Sequence, residues 1–106
     1  MSPEERELKK ITDHPPSAWP HNPVLPMKNY KDRKPGEFPK MGSILAEDVE
    51  RGEGVTVYEK GPWESPVMEY LDFGDVIQAA VAVKESGVIK TYGSLKAMVE
   101  DGWIID

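Results

Sequence analysis

Residues Val55-Thr56-Val57-Tyr58-Glu59 alternate apolar and polar side chains, the period-two signature of a strand with one face turned to a core. A candidate strand over 42–49 precedes it across the Gly52-Glu53-Gly54 turn, read as a hairpin connection. After the Gly61-Pro62 turn, alternation resumes in Val67-Met68-Glu69-Tyr70-Leu71, setting Val67, Leu71 and Phe73 opposite Met68 and Tyr70. Helical spacing then takes over. Asp72 stands where an N-cap belongs, and the pattern predicts a helix from 73 or 74 to about 86, stopped by Gly87. Its apolar residues Val76, Ile77, Ala80, Val81 and Val83 leave only Asp75, Gln78 and Glu85 as a polar edge, which predicts nearly complete burial. A second helix starts at Ser94, carries Leu95, Met98 and Val99 on one face and ends at Gly102, and Trp103-Ile104-Ile105 reads as a short strand or packed tail.

The beginning of the chain follows a different pattern. Ser2 as N-cap, Pro3 in the first turn and Glu5 at the third position predict a short helix ending by Asp13, with Leu8 and Ile11 on one face. Seven of the ten prolines then fall between positions 15 and 39. Each fixes its own φ, removes a backbone donor and pushes the preceding residue towards extended conformations. This stretch therefore reads as an irregular, polyproline-like arm. The fold expected is α+β: a short antiparallel strand meander followed by two helices, with an extended Pro-rich N-terminal arm. Residues 1–40 form the short helix and arm and 41–106 the compact body, together a single domain.

Composition sharpens that division. Of the 106 residues, 13 are Lys or Arg and 19 Asp or Glu, a net charge of −6. Residues 1–40 hold eight basic and six acidic side chains, net +2, while 41–106 hold five and thirteen, net −8. Such a balance argues against a sequence-independent grip on nucleic acid or on an anionic membrane. With no cysteine, thiolate metal sites, disulfides and cysteine nucleophiles drop out. His14 and His21 are the two histidines, and neither has the neighbours that a metal site or a general base needs, so no catalytic residue, metal or cofactor is expected. No window is apolar enough for a membrane span, and the charged first residues do not resemble a secretory signal, which makes the cytoplasm the expected compartment.

Two motifs have plain structural readings. Asp72-Phe73-Gly74 spells a kinase metal-binding triplet, but the chain lacks a catalytic loop and helix capping accounts for all three residues. Gly52-Glu53-Gly54 precedes a strand rather than a helix, as a turn would, and lacks the third glycine of a nucleotide loop.

What remains is binding. The arm mixes prolines with the large anchors Trp19, Leu25 and Tyr30, which pure linkers lack, and adds the basic residues Lys31, Arg33 and Lys34. Trp63, beside the Gly61-Pro62 turn, is a further candidate contact residue. The function expected is a small protein-binding or regulatory protein acting through its Pro-rich arm and acidic surface on a protein partner or on a second copy of itself. The alternative is a nucleic-acid-binding regulator using the basic arm and a degenerate C-terminal helix-turn-helix, with helices over 75–86 and 94–101 joined by a short link. Its C-terminal helices, followed by Gly102 and an apolar segment, resemble in outline the end of a winged-helix unit. Glu100 and Asp101 would repel phosphate there.

Overall fold

The structure is a computed structural model that describes residues 2–106. Helix α1, Pro3–Asp13, begins where its cap is encoded: Ser2 Oγ accepts the Glu5 amide at 3.1 Å, and Glu4 and Glu5 sit in the positive first turn. It ends before Pro15 and Pro16, and Ile11 carries its buried face into the core. A 3₁₀ turn at Pro16–Ala18 follows, and Trp19 packs inward behind it.

The next segment corrects the expected arm. Residues Val24–Asn29 form strand β1, which pairs antiparallel on one side with β2, Lys40–Leu45, and on the other with β5, Trp103–Ile105. Pro26 is tolerated because of the way its backbone faces. Its carbonyl accepts the Asp106 amide at 3.1 Å, and the nitrogen of a strand residue points the same way, so the ladder to β2 loses no donor. Alternation along β1 sends Leu25 and Met27 to one side of the sheet and Val24 to the other, all buried.

The expected strand over 42–49 ends early, because its second half is helix α2, Ala46–Arg51, closed by Gly52 in the left-handed region at φ +74°. Gly52-Glu53-Gly54 therefore ends a helix instead of joining two strands. Buried Asp48 ties α2 to β3, Val55–Tyr58, accepting the Thr56 amide at 3.1 Å and Arg51 Nη2 at 2.7 Å. The segment expected as a third strand is helix α3, Val67–Asp72, and its partner α4 spans Val76–Glu85. Val67, Tyr70 and Leu71 are spaced i, i+3, i+4, so five residues satisfied both periods, and packing against α4 selects the helix. Strand β4, Val88–Tyr92, occupies what was read as a link and pairs with β3; α5, Leu95–Glu100, follows, capped by Ser94 Oγ on the Ala97 amide at 3.1 Å.

The fold is thus α+β with an antiparallel five-stranded sheet in the order β4-β3-β2-β1-β5 and five α-helices interleaved with the strands, not a meander followed by two helices. Strand β4 between α4 and α5 also removes the helix-turn-helix outline. One sheet face, with Leu25, Met27, Ile44, Val55, Val57 and Trp103, is covered by α1, α2 and α5. The other buries Val24 and Leu45 under α3 and α4. Gly102, at φ +99°, closes the α5–β5 turn so near β1 that a Cβ would lie 2.7 Å from Asn29 Oδ1.

Candidate functional site

Helices α3 and α4 are joined by a tight turn whose backbone is fully engaged. The Gly74 amide donates to Leu71 O at 3.0 Å, the Asp75 amide to Tyr70 O at 2.8 Å, and Asp75 Oδ1 accepts the Gln78 amide at 3.1 Å. Asp75, rather than Asp72, is therefore the cap. Ahead of the pair, the 59–66 connection is pinned to the sheet and to α4. Buried Ser43 Oγ donates to Lys60 O, and the Lys60 amide donates to Ser86 Oγ at 3.2 Å.

In α4 the small residues Ala79 and Ala82, with Val83, form the inner arc and lie on Val24 and Leu45. Val76, Ile77 and Val81 lie on the adjoining arc and are exposed, contrary to the nearly complete burial expected of this helix. Ile77 is 73% exposed, and Phe73, in the turn, is 88% exposed. The physical reason is geometric: a helix on a sheet covers one stripe, and this helix is apolar over more of its circumference than one sheet can cover.

A groove of about 400 Å³ runs between this outer arc and the β2–α2 junction. Val76, Ile77, Ala80 and Val81 line one wall, and Leu45, Ala46, Glu47 and Glu50 the other. Lys84 lies along it with its ammonium paired to Glu47, and that hydrogen bond raises the Lys84 pKa above its ordinary value. Asp72, Asp75 and Glu85 are exposed elsewhere on the α3–α4 pair, outside the lining of the groove. The groove is apolar on its helix wall and carries Glu50 and the Glu47–Lys84 pair beside it.

The residues singled out by sequence divide between core and surface. Trp19 is buried, its Nε1 donating to His14 O at 3.2 Å, and Leu25 is buried within β1. Tyr30, Lys31, Arg33 and Lys34 lie on the exposed β1–β2 loop, and Trp63 is exposed in the connection before α3. In that loop the Arg33 guanidinium sits 4.9 Å over the Tyr30 ring and the Lys28 ammonium 5.5 Å from it. Lys31 pairs with Asp101 at 3.1 Å, while Arg33, Lys34 and Lys40 form no ion pair among the described residues. Sequence reasoning missed Phe73, Val76, Ile77 and Val81 as surface residues, although the unusually wide apolar arc of their helix was their signal.

A second polar cluster joins the sheet to α5. Asp101 accepts from Tyr92 Oη at 2.5 Å, from Lys31 Nζ at 3.1 Å and from Lys90 Nζ at 3.4 Å, and Trp103 Nε1 donates to Tyr92 Oη at 3.0 Å. The Tyr92 hydrogen bond and then Lys31 hold the Asp101 carboxyl down to about 2, while burial and the Asp101 hydrogen bond push the Tyr92 phenol up to about 12. Each of these groups has its partners within the chain, so the cluster fastens β1, β4 and α5 together. Among the described residues no group of three or more His, Asp or Glu side chains is placed to hold a metal ion, and no helix is long and apolar enough to cross a membrane. His14 is exposed, its ring 2.8 Å from Lys10 O, and His21 is exposed beyond the 3₁₀ turn.

No protein-family model, curated protein or solved structure matches the chain.

Proposed function

We propose that this protein acts by binding another polypeptide through the outer face of α3 and α4. The observation that carries this reading is the run Phe73, Val76, Ile77 and Val81, left exposed beside a groove with Glu50 on its opposite wall. Single exposed apolar residues are ordinary, but a contiguous set bordering a concave surface and rimmed by polar groups is typical of a contact site. Phe73 and Ile77 supply apolar contact area, and Glu50 in the groove, with exposed Asp72, Asp75 and Glu85 on the same helix pair, favours a partner segment that carries positive charge. The reading keeps the protein-binding role and the acidic surface expected from sequence. It assigns the Pro-rich segment to the scaffold, because Trp19, Val24, Leu25 and Met27 lie in the cores on either side of the sheet.

A photo-crosslinking side chain at position 77 tests this in the native host. Irradiation is expected to give a discrete polypeptide adduct that disappears when Phe73 is also changed to Ser. Adducts no more frequent from position 77 than from a probe at exposed Thr91 would refute the reading.

A further inference from the structure

The partner chemistry that this face calls for, an exposed apolar anchor flanked by positive charge, is present on the chain itself. The β1–β2 loop is made of two successive turns, in which the Arg33 amide donates to Tyr30 O at 3.2 Å and the Glu37 amide to Lys34 O at 3.0 Å. They lead into Phe38, which is 94% exposed. Arg33, Lys34 and Lys40 flank it in sequence and form no ion pair among the described residues, against Asp32 and Glu37, while Lys28 and Lys31 are paired with Asp106 and Asp101. The facing groove carries Glu50, which forms no ion pair among the described residues, beside the Glu47–Lys84 ion pair.

The two surfaces lie at opposite ends of one hairpin. Val24 pairs with Leu45 beside the groove, whereas Asn29 pairs with Lys40 at the loop. Five residue steps of strand separate them by roughly 17 Å. A loop held at one end of two paired strands cannot fold back onto the other end, so loop and groove can meet only between molecules.

Resting on the reading of α3 and α4 as a protein-contact face, we propose that its occupant is the β1–β2 loop of a second copy of this chain, docked head to tail. Phe38 of one copy enters the groove beside Val76 and Ile77 of the next, and Arg33, Lys34 and Lys40 approach Glu50 on its wall. Charge complementarity favours this over a symmetric contact between two α4 faces, which would bring no unpaired cation to Glu50. Because the two surfaces differ, the contact is heterologous and each copy keeps one free loop and one free groove, so assembly continues beyond the dimer unless the ring closes. A single loop gives a small interface, and the association is correspondingly weak and sensitive to salt.

Sedimentation of the full chain over micromolar to submillimolar concentration at low and high salt reads this out. The weight-average mass is expected to rise with concentration past that of a dimer and to fall back when salt is added. Phe38→Asp and Ile77→Asp, both at exposed positions, should each weaken association at least about tenfold while keeping the wild-type circular dichroism. Mixed in equal amounts, they should recover association that stops at a heterodimer, since the first variant retains its groove and the second its loop. Phe73→Ser replaces Ile77→Asp in the mixture if that variant does not fold. A wild-type chain that stays monomeric throughout, or a dimer that Phe38→Asp leaves intact, overturns the proposal. A monomeric chain that still gives a position-77 adduct with another polypeptide would leave the protein-binding reading standing with a different occupant.

Discussion

Strand β1 lies between two neighbours with Val24 and Met27 fully buried, whereas α4, the more apolar segment, leaves Val76, Ile77 and Val81 facing outward. Position in the fold accounts for the difference. A central strand is enclosed by ladders on both edges and by helices on both faces, so even a strand interrupted by Pro26 and Lys28 contributes heavily to the core. A helix laid on a sheet presents one arc to it, and additional apolar residues around the circumference add exposed surface instead of core. The Pro-rich segment therefore holds the molecule together, and the apolar helix keeps part of its arc exposed as the proposed contact face.

Removing β1 breaks this comparison most severely. A 41–106 fragment lacks the strand that joins β2 to β5 and is expected to show no cooperative urea transition; a sharp transition close to that of the full chain would mean that the first forty residues are dispensable. On a smaller scale, Met27→Ala should cost about 2–5 kcal/mol of unfolding free energy, the range for truncating a large buried side chain. Urea denaturation of that variant and of the wild type measures it.

Acid sharpens the picture at the seam between β1 and α5. The Asp101 pKa is lowered from 3.8 to about 2 in the folded chain, so its contribution is complete above pH 4 and is lost as pH falls through 2. Asp101→Asn should accordingly flatten the decline of thermal stability between pH 4 and pH 2, and a decline as steep as the wild type's would contradict the assigned contacts. The smallest effect belongs to α4: Ile77→Ser should change unfolding free energy by no more than about 0.5 kcal/mol, since the side chain is already in water.

The parts of this fold that were legible in the sequence are those with local chemical punctuation. Ser2 and Ser94 cap their helices as the pattern implied, β3 follows its alternation, and the Trp103 tail forms a strand. Strand β1 was illegible because proline reads as a breaker, and only the tertiary arrangement reveals that Pro26 directs its donor-free nitrogen away from β2. Helix α3 was misread because Val67-Met68-Glu69-Tyr70-Leu71 is too short to separate the two periods. The candidate site was visible as an apolar excess on α4 and misinterpreted as burial, because a sequence records how apolar a helix is without recording how much of it a neighbour can cover.

Amide hydrogen exchange of the full chain, resolved by residue, tests the division between scaffold strand and exposed apolar helix most directly. Met27 and Lys28 are expected to exchange only through global unfolding, with protection matching the free energy from urea denaturation, while Phe73 to Gln78 exchange faster through local opening. Exchange of Met27 and Lys28 as rapid as that of the exposed 31–38 loop would contradict the account, because it would make the Pro-rich segment a detachable arm.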